Sequence, residues 1–248
     1  MNDSIPTPHA VYAIILARGG SKGLPRKNML PVAGRPCLAW TIDAAREARL
    51  VTRVALSSDD PEMLALGERM GVRVLARPAP LACDTARVDD AARDAVLQLE
   101  REHPRADIIV LLYGNVPLRP RGCIDAAVEL LQRSNADSVQ TYQPVGKHHP
   151  WWTARLDDSA EVRPWEGEVL NHNTFRRQDL PPAYVPDGAV LAVTRRALFH
   201  EVPGVPPGPH AFFGRDRRGL INPEGSVVDI DTKVDLLVAD VLLRERAA

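Results

Sequence analysis

Residues Val11–Leu16 form an apolar run that stops abruptly in a loop of three glycines and four cations. The glycines are Gly19, Gly20 and Gly23; the cations are Arg18, Lys22, Arg26 and Lys27. No acid falls between residues 13 and 28, although the chain carries 32, and two of its only four lysines sit here. A short apolar run closed by glycine is the pattern of a buried strand. Glycine lets backbone N–H groups approach a ligand closely, and clustered cations neutralise a polyanion such as a triphosphate. A solvated basic turn is the competing reading, and the density of charge directly after a strand weighs against it.

The loop lacks the G-x-x-x-x-G-K-[ST] order of a P-loop and the G-x-G-x-x-G of a dinucleotide site. Beyond it, short apolar runs alternate with helical periodicity. Strands are predicted at Val11–Leu16, Arg53–Ser57, Val72–Leu75, Asp107–Tyr113, Ser138–Tyr142, Ala189–Val193 and Val227–Ile230. Helices are predicted at Pro36–Glu47, Pro61–Met70, Val88–Glu100, Gly122–Arg133 and Lys233–Glu245. The last places Val234, Leu237, Val238, Val241 and Leu242 on one face, with Asp231 or Thr232 as its cap. This alternation predicts an α/β fold: a doubly wound, mostly parallel sheet with helices on both faces. Ligands of such sheets bind beyond the carboxyl ends of the strands, where the glycine loop falls.

A chain of 248 residues suits one large domain or one domain with an insertion. We read residues 1–9 as a flexible tail and 10–248 as a single domain. A net charge of -1 gives no global field for nucleic acid or membrane, and no apolar segment approaches a bilayer span. Cys37, Cys83 and Cys123 are scattered and odd in number, which favours a reducing, cytoplasmic setting over a disulfide framework or zinc site. Residues 143–187 break the rhythm. They are rich in proline and hold Trp151, Trp152, Trp165, His148, His149 and His172. So long a stretch without periodicity predicts an excursion whose aromatics pack on something else, such as a second subunit. Adjacent His148 and His149 face different ways and read as loop histidines, not as metal ligands.

Asp229 and Asp231 close the predicted last strand, where residues two apart share a side. Both carboxylates can then meet one Mg²⁺, which favours one or two carboxylates plus water and substrate phosphates.

The loop Ala17-Arg18-Gly19-Gly20-Ser21-Lys22-Gly23 with Lys27-Asn28 resembles the A-R-x-x-S-K-G…K-N signature of the acylneuraminate (sialic acid) cytidylyltransferases. Asp229-Ile230-Asp231-Thr232-Lys233-Val234-Asp235 resembles the D-I-D-x-x-x-D of that family, and Arg77-Pro78-Ala79-Pro80-Leu81-Ala82-Cys83-Asp84-Thr85 its R-P-x-x-L-A-x-D-T. The resemblance implies a nucleotide-diphospho-sugar transferase-like fold with a dimerisation insertion at 143–187. It implies a nucleotide site of Ala17, Arg18, Gly19, Ser21, Lys22, Lys27, Asn28 and Arg77, with Arg18, Lys22 and Asp231 catalytic. By the same match Asp229 and Asp231 are the Mg²⁺ ligands, and Asp235 caps or pairs within its helix.

Two segments depart from the pattern. Leu111-Leu112-Tyr113-Gly114-Asn115-Val116-Pro117-Leu118-Arg119 keeps the flanks of L-L-Q-P-T-S-P-L-R but not its centre. The family's sugar-facing loop lies there, so Tyr113, Asn115 and Arg119 are substrate candidates, with Tyr113 either stacking on the sugar or packing. Arg177-Gln178-Asp179-Leu180-Pro181 resembles R-Q-x-L-P, and a planar guanidinium suits a substrate carboxylate. Asp187 stands where asparagine is usual, a repulsive element unless the sugar presents a donor.

The resemblance therefore implies Mg²⁺-dependent joining of CTP to a nonulosonic, sialic-acid-like sugar acid, by a homodimer. Two alternatives stand beside it: a nucleotidyltransferase for a Kdo-like acid or phosphosugar, and a non-catalytic sugar-nucleotide binding module.

Overall fold

The computed structural model describes residues 9–20 and 23–247. Ser21, Lys22 and nearly all of the predicted N-terminal tail lie outside them.

Among the described residues eleven strands and six α-helices follow one another. The strands are β1 (Val11–Leu16), β2 (Pro31–Val32), β3 (Arg35–Pro36), β4 (Arg53–Ser58), β5 (Arg73–Ala76), β6 (Ile108–Tyr113), β7 (Ser138–Pro144), β8 (Ala154–Leu156), β9 (Val162–Pro164), β10 (Tyr184–Thr194) and β11 (Arg217–Ile221). The helices are α1 (Cys37–Glu47), α2 (Pro61–Arg69), α3 (Val88–Leu99), α4 (Cys123–Ser134), α5 (Arg195–Leu198) and α6 (Lys233–Ala247). Seven strands form one sheet in the order β11-β7-β10-β6-β1-β4-β5. Only β10 runs antiparallel to its neighbours, so the mixed, mostly parallel sheet matches the expectation.

Alternation along β1 sends its side chains to two cores. Val11, Ala13 and Ile15 join Leu38 and Ile42 of α1 and Val128 of α4 on one face. Tyr12, Ile14 and Leu16 meet Ala92, Val96 and Leu99 of α3, with Phe212 and Phe213, on the other. Both faces are covered, as a parallel sheet requires. Leu16 pairs with Ser57 and with Tyr113, so the ends of β1, β4 and β6 are level. Arg18, Asp59 and Asn115 consequently leave the sheet along one rim.

Two expectations fail. Residues 227–230 are not a strand of the sheet: one isolated antiparallel bridge, Val228 to Leu118, is all they form. The seventh position belongs to β11, an edge strand reading Arg-Arg-Gly-Leu-Ile that has no apolar alternation to announce it. It is fixed from outside, by the buried Asp137 carboxylate accepting from the N–H groups of Arg215 and Asp216. On α6 the predicted inward face is turned out, with Val234, Leu237, Val238 and Val241 all exposed. Apolar residues lie almost all round this helix, so periodicity cannot select a side. The face that packs is Leu236, Ala239 and Leu243, against Val32, Cys37, Leu118 and Ile230.

The aperiodic excursion leaves at Pro144 and returns at Tyr184, residues that pair with each other on β7 and β10. It holds the β8–β9 hairpin and several short 3-10 turns. Trp151 stacks on His172 at 4.5 Å, and the Trp152 indole N–H donates to the Thr174 carbonyl. His149 is buried, its Nδ1 accepting from the Trp151 N–H and its Nε2 facing the Pro181 carbonyl. Trp165 and Phe175 remain on the outside, Phe175 at 82 % exposure.

Candidate active site

At the carboxyl ends of β1 and β6 the chain builds a cleft from segments far apart in sequence. Ala17 is buried and extends the β1 ladder by donating to the Ser57 carbonyl. Arg26, in the left-handed region at φ 55°, turns the loop into a short 3-10 turn over Lys27–Met29. Such strained backbone concentrates at functional sites. The turn presents Lys27, whose Nζ lies 2.6 Å from Asp231 Oδ1. It also buries Asn28, whose Nδ2 donates to the Arg18 carbonyl while Oδ1 has no partner. A methyl group on Gly23 would stand 3.0 Å from the Asp231 carbonyl oxygen. The glycine loop and the paired aspartates therefore share one cleft.

Asp229 and Asp231 are aligned without a strand. Ile230 N–H donates to the Asn115 carbonyl, and Asn115 Nδ2 donates back to the Ile230 carbonyl and to Asp229 Oδ1. Asp235 Oδ2 accepts from the N–H groups of Asp231 and Thr232 and from the Thr232 hydroxyl, while Thr232 Oγ1 accepts from Asp235 N–H. This reciprocal cap fixes the start of α6 and assigns Asp235 the helix role expected of it. Loss of hydration, then the Asp231 charge, pushes the Asp229 carboxyl up to about 6, against the pull of Lys27. Two carboxylates that repel each other at the mouth of a cleft are a fitting pair of oxygen ligands for a hard cation. No cluster of three or more acidic, histidine or cysteine ligands occurs among the described residues, so remaining ligands would be water and substrate.

The opposite wall carries Arg18 and Arg77. Arg18 Nη1 donates to the Cys83 carbonyl and pairs with Asp84 at 3.0 Å. Arg77 is buried and spans Ser57 with two bonds, Nε to the hydroxyl and Nη2 to the carbonyl. Burial first, with Arg18 nearby adding to it, holds its pKa below the ordinary arginine value. Tyr113 is half-buried, and burial together with the Asp229 charge raises its phenol. No hydroxyl partner for Tyr113 is present among the described residues.

The profile of the family described as Cytidylyltransferase matches residues 12–184 of this chain. The chain belongs to the cytidylyltransferase family. Among relatives, the N-acylneuraminate cytidylyltransferase of Streptococcus agalactiae serotype V is 30% identical over 226 residues, 90% of this chain and 51% of that protein. The chain thus spans about half the length of the streptococcal relative. The pseudaminic acid cytidylyltransferase of Campylobacter jejuni is 28% identical over 233 residues, 93% of this chain and 95% of that one. Among solved structures, a CMP-2-keto-3-deoxy-manno-octonic acid synthetase complexed with CTP superposes with a TM-score of 0.69 at 16% identity, covering 96% of this chain and 99% of that one. The 4-diphosphocytidyl-2C-methyl-D-erythritol synthase of Anaerococcus prevotii does so at 0.63 and 14%, covering 96% and 100%. The fold of this cytidylyltransferase-family chain is accordingly the nucleotidyltransferase fold expected from its loop.

Several site residues expected from the sequence have other occupations. Gly19 N–H already donates to Asp59 Oδ1 at 2.9 Å, so it is not a free phosphate donor. Asn115 commits its Nδ2 to Asp229 Oδ1 and the Ile230 carbonyl. Asp187 is buried and consumed internally, accepting from the Thr141 hydroxyl, Ala189 N–H and Asn222 Nδ2. It is no repulsive element at the cleft. What it shapes is Gly188, which has φ +75° and lies so near Asp229 that a Cβ would meet Oδ2 at 3.2 Å. Arg119 is buried beneath the 113–116 loop, bonded to the Ala189 carbonyl and the Thr41 hydroxyl. Arg177 stays on the β7–β10 end of the rim, paired with Glu224 at 2.6 Å. Ser21 and Lys22 lie outside the described residues. Asp59, Thr41 and Asn222, to which the sequence analysis gives no role, hold Gly19, Arg119 and Asp187 in place.

Proposed function

We propose that this protein activates a nonulosonic, sialic-acid-like sugar acid with CTP, giving the CMP-sugar and pyrophosphate, with Mg²⁺ at Asp229 and Asp231. The observation that carries the reading is the meeting of Lys27 and Asp231 in one cleft, which supports phosphate-binding and metal-binding chemistry acting on one nucleotide. The names of the streptococcal and Campylobacter relatives support the sugar class. Arg177, on the same rim, would meet the sugar carboxylate in place of its present partner Glu224.

In this scheme Arg18, Lys27 and Lys22 draw the triphosphate into the loop and stabilise charge growing on the departing pyrophosphate. Asn28 Oδ1, lacking a partner, accepts a donor from the nucleotide. Asn115 holds Asp229 in place, and Tyr113 forms a wall for the acceptor. Mg²⁺, when bound, supplies Lewis-acid polarisation and neutralises phosphate charge. Catalysis is positioning plus electrostatics, and no side chain has to form a covalent intermediate.

The exposed apolar residues of the excursion, chiefly Leu156, Trp165 and Phe175, are the surface we assign to a second copy of the chain. Homodimerisation would bring that excursion against the partner's rim. The cytoplasmic setting belongs to this proposal on the scattered, odd-numbered cysteines.

The deciding experiment measures pyrophosphate release with CTP, UTP, GTP and ATP against N-acetylneuraminate, legionaminate, pseudaminate and Kdo. CTP-specific turnover with a nine-carbon acid is expected. Turnover with Kdo alone would move the chain to the neighbouring specificity, and none with any acid would leave a binding module.

A further inference from the structure

Arg119 and Asp187 are both buried beneath the cleft, each 6 % exposed, and each is bonded only to uncharged groups. They meet on one residue. Asp187 Oδ1 accepts from the Ala189 N–H at 3.0 Å, and the Ala189 carbonyl accepts from Arg119 Nε at 3.3 Å. Burial pushes the Arg119 pKa down to about 10, and the Asp187 and Asp229 charges are among those that pull it back. Arg119 Nη2 is enclosed and bonded to nothing, so the guanidinium depends on nearby charge for compensation. Opposite charges in a poorly hydrated interior attract strongly even when a backbone segment separates them. The acid at position 187, where asparagine is usual, thereby acquires a partner.

The same arginine reaches both sides of the Asp229 carboxylate. Its Nη1 donates to Thr41 Oγ1 at 3.1 Å. A guanidinium can only donate. The Thr41 hydroxyl therefore accepts from it, and its single proton is left for the carbonyls of Tyr113 and Val116, at 3.2 and 3.0 Å. Those carbonyls are the two ends of the turn that carries Asn115, whose Nδ2 donates to Asp229 Oδ1. On the other side, Ala189 follows Gly188, where a Cβ would stand 3.2 Å from Asp229 Oδ2. One oxygen of Asp229 is held by a segment tied to Arg119 through Thr41. The other faces a segment tied to it through Ala189.

We propose that Arg119 and Asp187 form a split ion pair, joined through Ala189, that positions the Asp229 carboxylate from beneath. Neither touches substrate. Both are positioning residues, acting on Asp229 through the Asn115 turn and Gly188. The consequence for metal binding and turnover rests on the reading of Asp229 and Asp231 as the Mg²⁺ site; the pairing of the two charges does not.

Stability tests the pairing. Asp187→Asn leaves a buried cation without its counter-charge and Arg119→Met leaves a buried carboxylate, whereas the double variant leaves neither. The double variant should therefore lose less in urea midpoint than the two single variants together. Losses that add, or that exceed the sum, overturn the pair. Arg119→Lys tests the positioning, because it keeps the charge but not the planar fork that spans Thr41 and Ala189. Mn²⁺ titrated alone and followed by electron paramagnetic resonance should bind this variant at least about tenfold more weakly than the parent, the usual scale for residues that brace a metal ligand. Pyrophosphate release should need correspondingly more Mg²⁺ and recover at high Mg²⁺, with KM for CTP unchanged, a pattern that general loosening of the fold would not give. Parent-like Mn²⁺ affinity and Mg²⁺ requirement in Arg119→Lys overturn the positioning role. Mn²⁺ binding that survives intact in Asp231→Ala protein would instead overturn the metal reading, and the positioning role with it.

Discussion

Lys27 Nζ and Asp231 Oδ1 are 2.6 Å apart across 204 positions of sequence. Each neutralises the other's charge in the cleft, and under the proposed function both would be released to a nucleotide and its metal. Lys27→Ala and Asp231→Ala should each lower pyrophosphate release at least about a hundredfold, the scale of losing one preorganised charge. Circular dichroism and melting temperature should remain those of the parent. Wild-type turnover in either variant would refute the assignment.

Asp229 should show stability and function in opposition. Its carboxyl is raised to about 6, by loss of hydration and then by Asp231. Its contribution to stability is complete below the ordinary 3.8 and disappears as pH rises through about 6. At pH 8 Asp229→Asn should therefore melt higher than the parent, at pH 4 it should not, and turnover should collapse. Calorimetry at the two pH values decides the matter.

Acid stability rests elsewhere. Burial alone would raise the Asp137 carboxyl, but bonds from Arg196 and from the Asp216 and Arg215 N–H groups outweigh it and hold the pKa below 3.8. The stability it supplies is present above that value and disappears as pH falls through the lower folded-state value. Asp137→Asn should flatten this acid limb and loosen β11, seen as faster amide exchange over residues 217–221.

Thr41→Val removes the hydroxyl shared by Arg119 and the carbonyls of Tyr113 and Val116. Leaving such buried groups unmet should lower stability by roughly 1–3 kcal/mol. KM for the sugar acid should rise with it, and Thr41→Ser should restore most of both. Denaturant melts and steady-state kinetics on the pair separate this from simple unfolding.

Phe175→Glu combined with Trp165→Glu should leave a folded monomer on light scattering if these side chains form the subunit contact. A dimer that persists unaltered would relocate the contact, with the exposed stripe on α6 as the next place to look.

The strand–helix alternation, the glycine loop and the Asp229/Asp231 pair were all legible in the sequence, because each leaves a local trace: periodicity, turn chemistry or a spaced motif. β11 was not, since an edge strand held by Asp137 needs no apolar pattern of its own. The packed face of α6 was misjudged because the helix is apolar on several sides. Asp187, Asn115 and Arg119 have the residue types of a substrate site, yet their polar atoms are committed to Asn222, Asp229 and Thr41. No sequence rule distinguishes a side chain aimed at a ligand from one aimed at its neighbour forty positions on.

The pairing of Pro144 with Tyr184 means that the excursion departs and comes home on adjacent strands. Whatever lies between those two residues can lengthen, shorten or be exchanged while the sheet and its nucleotide end keep their register. The segment is thus a cassette whose exchange leaves the glycine loop and the Asp229/Asp231 pair where they are.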